Sequence, residues 1–270
     1  MNRLLRYFGE RLADYLSQPL RTGAQVALVP PELVAALLRP GDVMLVEGRN
    51  RVSVAIKYLT QSTWSHAALY IGDALGPPPH GEEPRVLIEA AMREGVRAVP
   101  LSNFAQLNTR ICRPVGLTAD DRKHVVGYAI GRIGQQYDLS HLFDLARYLL
   151  PTPPVPARLR RRLLAVGSGD PTRAICSTLI AQAFQSIRYP ILPDVTRGSG
   201  DDPHAEDSYR ELMHIRKYGL YAPRDFDLSP YFGVVKPALA YHFDFHRLHW
   251  ADDPPPDAGG VPRQEDSGRI

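Results

Sequence analysis

Five strand-like runs follow one another between residues 42 and 115: "DVMLVEG", "SHAALYIG", the two halves of "RVLIEAAMREGVRAVPL", and "TRICRPV". Each is a short apolar stretch bounded by Gly, Pro or Asp, the usual punctuation of strands. The doubled run turns at Arg93-Glu94-Gly95. One helix-spaced segment, "RVSVAIKYLT" with Val52, Ile56 and Leu59 in step, interrupts the series, and a shorter helix is expected over Glu32 to Leu38. After residue 117 helical spacing takes over. A meander of strands followed by helices predicts an α+β fold built on an antiparallel sheet, and disfavours the alternating order of a parallel α/β protein.

The helical part begins with "LTADDRKHVVGYAIGRIG". Thr118 is placed as N-cap, Asp120 and Asp121 lie in the positive first turn, Gly134 is the expected stop, and Val125, Val126, Ala129, Ile130 and Ile133 form the apolar stripe. "SHLFDLARYLL" and "ARLRRRLLAV" read as a helix pair split by "PTPPVP". "GSGDPTRAICSTLIAQAFQSI" then sets a glycine-rich loop and Pro171 before a helix with Cys176 in its first turn. "PDVTRGSGDDPHAEDS" reads as a polar loop, and residues 251–270 have the composition of a disordered tail. At the other end Leu4, Leu5, Phe8, Leu12, Tyr15 and Leu16 recur at helical spacing before Pro19, giving an amphipathic helix.

The charge balance, 32 basic against 29 acidic residues, argues against a nucleic-acid partner. The 2 cysteines are too few for a disulfide framework and point to a reducing compartment. Glu10, Arg11 and Asp14 break the apolar run a signal peptide needs, and no stretch reaches the ~18 apolar residues of a membrane span, so a cytoplasmic location is expected.

"TWSHAALYIGD" puts His66 at the mouth of a strand whose remaining residues are small or apolar. A satisfied core histidine is one explanation and a catalytic base the other. If Ile71 stands opposite Val86 in an antiparallel pair, Ala68 faces Glu89 and Glu89 lies diagonal to His66 on the same face, within bridging reach. Glu89 is also the lone acid in "VLIEAA", where an unpaired carboxylate is costly. Cys176, at a helix start, sits where backbone N–H groups and the helix dipole favour thiolate over thiol. The competing reading is a small buried hydrophobe. Cys112 lies in an apolar strand pattern between arginines. Together Cys176, His66 and Glu89 have the residue types acyl transfer needs: a thiolate, a base that also protonates the leaving group, and a carboxylate that fixes the imidazole tautomer.

The order "GDVMLVEG…VSVAIKYLTQSTWSHAALYIG…VLIEA…GVRAVPL…GQQYD…AICSTLIAQAF" resembles the circularly permuted papain-like cysteine hydrolases of the YiiX/YaeF type, in the NlpC superfamily and related to the lecithin:retinol acyltransferase group. The resemblance covers about residues 40–190 and implies a papain-like antiparallel half-barrel packed on the cysteine helix. It implies Cys176 as nucleophile, His66 as base and Glu89 as orienting acid, with Tyr137 of "GQQYD" near the nucleophile as an aid to oxyanion or substrate binding. The chain divides accordingly into a helical extension over 1–39, a catalytic domain over 40–190 with a helical insert at 141–169, an extension over 191–250 packing on that domain, and the tail over 251–270.

The expected activity is amidase- or peptidase-like cleavage through a thioester, with no cofactor and a small peptide-like or amino-acyl substrate. An acyl-lipid hydrolase or acyltransferase is the first alternative, for which residues 1–19 and 141–166 offer peripheral membrane contact at the inner face. A non-catalytic binding module is the second. "RLRRRLL" reads first as a solvated helix face, and His242, Asp244, His246 and His249 in "YHFDFHRLHW" as part of an extended aromatic segment with no metal.

Overall fold

The computed structural model describes residues 18, 27, 29–79, 81–91, 94–136, 175–192, 194–197, 211–214 and 221–237. The N-terminal amphipathic segment, Tyr137, the 141–169 insert and the histidine-rich segment at 242–249 lie outside the described residues.

All five expected strands form: β1 (Val43–Val46), β2 (His66–Tyr70), β3 (Arg85–Ala91), β4 (Gly95–Pro100) and β5 (Thr109–Pro114). Helix α1 (Pro31–Leu37) precedes β1, and α2 (Arg51–Thr60) joins β1 to β2. A sixth strand, β8 (Phe232–Val235), completes one antiparallel sheet in the order β4-β3-β2-β1-β5-β8. Phe232 draws it in: its ring meets Phe184 edge-on at 5.2 Å and Phe226 at 5.6 Å between centroids.

Both faces of the sheet are covered, which is why "VMLV" is apolar throughout and buried at every position. Val43 and Leu45 join Ala67, Leu69, Ile88 and Cys112 on one face, under α3 (Ala119–Ile130) and α4 (Ile175–Ser186). Met44 and Val46 join Ala68, Leu87 and Ile111 on the other, under Val34 and Leu38 from the α1 segment and Phe104 of a short 3-10 turn. The turn into β1 is held by buried Asp42, whose carboxylate takes Arg113 Nε at 2.9 Å, Arg113 Nη2 at 2.7 Å and the Arg39 N–H at 2.8 Å.

Helix α3 begins as expected, with a capping box in which Thr118 and Asp121 each accept from the other's backbone N–H. It ends sooner, at Ile130 instead of running to Gly134. The chain leaves the helix because Gly134 N–H donates to Val96 O at 2.8 Å and Val96 N–H to Gln135 O at 2.9 Å, tying this segment to β4. Ile133 is therefore 40% exposed and not part of the buried stripe.

The stretch read as a polar loop contains strand β6 (Asp194–Arg197), which pairs antiparallel with β7 (Glu211–His214) in a separate two-stranded sheet. Helix α5 (Pro223–Leu228), absent from the sequence reading, places Phe226 in the main core. Among the described residues no helix is long and apolar enough to cross a membrane.

Candidate active site

The pairing of β2 with β3 sets Tyr70 opposite Leu87 and Leu69 opposite Ile88, and the Ile71 N–H donates to Val86 O at 2.8 Å. This is the register assumed from sequence, and it brings the diagonal pair together: His66 Nε2 lies 2.7 Å from Glu89 Oε2. The His66 side chain is 22% exposed and that of Glu89 7%. Phe104 covers the imidazole from one side, with ring centroids 6.0 Å apart and planes inclined by 27°.

Hydrogen-bonded positions alternate along an antiparallel pair, so after Ile71 and Leu69 the next rung would join the Ala67 N–H to Ala90. The pairing stops at Leu69 instead. The Ala67 N–H donates to the sulfur of Cys176, which α4 delivers to this opening, and Cys176 also hydrogen-bonds His66. With Nε2 committed to Glu89, Nδ1 is the imidazole nitrogen left for the sulfur. Ser177 Oγ stands 4.0 Å from it.

The electrostatics follow from these contacts. Burial disfavours the Cys176 thiolate, but the facing His66 imidazolium, the Ala67 N–H and Ser177 outweigh it, and the thiol is more acidic than usual. Burial also disfavours the imidazolium, yet the thiolate and then Glu89 outweigh that and raise His66 to about 10. Glu89 is held below the usual carboxylate range: burial opposes its charge, while His66 and Arg97 favour it. Cys112 behaves in the opposite way, pushed up to about 12 by burial and by Asp227.

Two parts of the site escaped the sequence reading. Arg97, directly opposite Glu89 on β4, donates to Glu89 Oε1 from Nε and stands 2.8 Å from it at Nη2 as well. The hairpin turn at Gly95 was legible, and counting back from it pairs Glu89 with Arg97, so a signal existed. The second part is Asp227, which accepts from Trp64 Nε1 at 3.1 Å and from Arg110 Nη1 at 2.7 Å, while the Arg110 guanidinium lies 4.9 Å from the Trp64 ring centroid. Ser65 Oγ accepts the Gly48 N–H at 2.9 Å. Trp64 and Ser65 are thus both anchored, and His66 follows them. Asp227 is 163 positions from Trp64, and nothing local announces that pair.

Residues 37–148 match the family described as "Permuted papain-like amidase enzyme, YaeF/YiiX, C92 family". The resemblance read from the motifs is borne out over this segment. Its α+β fold is the one observed, with the strand that carries His66 preceding the helix that carries Cys176. His66, Glu89 and Arg97 fall within the matched segment and Cys176 beyond it. Among solved structures the chain is similar to the metalloprotein yiiX from Escherichia coli O157:H7, at 16% identity and a TM-score of 0.42, over 73% of this chain and 96% of that one. No curated protein matches. Among the described residues no group of three or more His, Cys, Asp or Glu side chains could hold a metal ion.

Proposed function

We propose that the protein is a cysteine hydrolase of the amidase type, acting on a small peptide-like or amino-acyl amide through a thioester. The single observation that carries this is the unbroken contact from the Cys176 sulfur through His66 to Glu89, the last link measuring 2.7 Å. The amidase description of the matched family agrees with it.

In this reaction the Cys176 thiolate attacks the substrate carbonyl carbon, forming a C–S bond and placing the carbonyl electrons on oxygen. The Cys176 backbone N–H, in the first described turn of α4, can meet that oxyanion, and Tyr137 is the candidate for a second donor. As the tetrahedral species collapses, the C–N bond breaks and His66 gives its proton to the departing amine. The neutral imidazole then takes a proton from water, whose oxygen attacks the thioester; the acid leaves and the thiolate–imidazolium pair is restored. Glu89 holds Nε2 throughout, keeping the proton-exchanging nitrogen toward the sulfur.

Acyl-amide and acyl-ester probes, followed by mass mapping of the adduct, test this directly. The expected adduct is a thioester on Cys176 that hydroxylamine releases. Absence of any adduct, with both cysteines equally slow toward iodoacetamide, would overturn the hydrolase assignment and favour a binding module.

A further inference from the structure

Glu89 has one charge and two oxygens, and they are divided. Oε2 faces His66 at 2.7 Å, while Oε1 lies 2.8 Å from both Nε and Nη2 of Arg97. We infer that Arg97 is a positioning residue for this pair: by holding one carboxylate oxygen through the Nε hydrogen bond and the Nη2 ion-pair contact it fixes the other against the imidazole, and so sets how acidic a medium Cys176 tolerates before losing reactivity. This rests on the hydrolase reading, in which Cys176 is the reactive thiol.

The surroundings leave the carboxylate little choice. Phe104 packs beside the imidazole, so the ring is not free to follow a rotating carboxylate. Glu89 and Arg97 face each other across the β3–β4 pair, and Gly95 fixes that register. Gly95 has φ +70°, and a Cβ there would come within 2.2 Å of Gln135 O, so only glycine fits between the hairpin and the 134–136 segment. The Nε hydrogen bond and the Nη2 ion-pair contact on one oxygen define an orientation, whereas a lysine at this position would supply a point charge.

Charge points the same way. Thiolate, imidazolium, carboxylate and guanidinium sum to zero in a group that is buried or half-buried except at Arg97, whose side chain is 41% exposed. Among the described residues the other charged side chain paired with Arg97 is Glu94 in the hairpin turn, 3.7 Å from Nη1 and 53% exposed, where water screens it. Removing Arg97 leaves the remaining three with a net negative charge, and both Glu89 and Cys176 then take up protons at a higher pH.

The test is the rate of Cys176 alkylation by iodoacetamide between pH 4 and 9, with melting temperatures, for the wild type, Arg97→Gln and Arg97→Lys. The acid limb of the Arg97→Gln profile should move up by about one pH unit, so that labelling on that limb slows about tenfold. Arg97→Lys, keeping the charge without the fork, should recover part of the shift and serves as the readout if the glutamine variant does not fold. A folded Arg97→Gln or Arg97→Lys pair with the wild-type limb, whatever the melting temperature, overturns the inference and leaves Arg97 a structural partner. A wild-type Cys176 that reacts only in the ordinary thiol range overturns the hydrolase reading and this inference together.

Discussion

Cys112 and Cys176 are both buried, at 0% and 5% exposure, yet their thiols are driven in opposite directions. Desolvation is the leading influence on each and always opposes the thiolate. What differs is the charge that remains to be shared. Arg110 and Arg113 flank Cys112 on β5, but Asp227 and Asp42 already occupy them, and those carboxylates face the thiol as further obstacles to ionisation. Cys176 meets an imidazole supported by Glu89, and a backbone N–H withheld from the sheet. A cysteine between two arginines in sequence can be inert when both have partners.

The contrast can be broken most severely at the sulfur. Cys176→Ala should reduce turnover on the order of a millionfold, whereas alkylation of Cys112 in that variant should stay negligible until the protein unfolds. Turnover that survives the substitution in a folded protein would move the chemistry elsewhere.

The next largest effect belongs to His66→Ala. In the wild type the reactive pair exists above the depressed thiol pKa and below the raised imidazole pKa of about 10, so alkylation, which needs only the thiolate, should climb on the acid side and then hold, while turnover, which also needs the imidazolium proton, should decline as pH passes about 10. Without the imidazolium only burial and weak donors act on the sulfur, and its pKa moves up beyond the ordinary ~8.5. Labelling at pH 6 should then slow at least about a hundredfold and recover with alkali. An unchanged rate would mean that the helix terminus alone activates Cys176.

Glu89→Gln should fold and lose about 10²–10⁴ of its turnover. Arg97 offers only donors, so the new amide must turn its oxygen to Arg97 and its NH2 to His66. That forces Nε2 to accept and puts the neutral ring's proton on Nδ1, beside the sulfur, where a base is needed. Near-normal turnover in the folded variant would reduce Glu89 to a structural acid.

The smallest effect sharpens the comparison from the other side. Cys112→Ala removes one buried sulfur from a packed strand and should cost about 1–2 kcal/mol in chemical denaturation, with turnover and its pH profile unchanged. A shifted profile would show that β5 communicates with the site.

Much of the fold was written locally. Runs such as "VMLV" and "VLIEAA" are apolar on successive residues because both sheet faces are covered, and the assumed Ile71–Val86 register proved right, which placed Glu89 beside His66. Strand β8 was missed because "FGVV" is four residues with a glycine inside, stabilised by aromatic contacts to Phe184 and Phe226 that no local pattern encodes. The early end of α3 was missed for a related reason: Gly134 answers to β4, not to its own helix. At the site, Arg97 could have been found by counting across the hairpin, whereas the tie from Asp227 to Trp64 spans the domain.

The unmade rung between Ala67 and Ala90 bears on how the protein matures. Synthesis delivers His66 and Glu89 well before Cys176, so strands β1 to β5 can assemble while the thiol is still on the ribosome or newly released. Until α4 docks, nothing perturbs that thiol, and it has the low reactivity of an ordinary cysteine. The sulfur turns acidic only when α4 brings it against His66 and the N–H that the ladder left open.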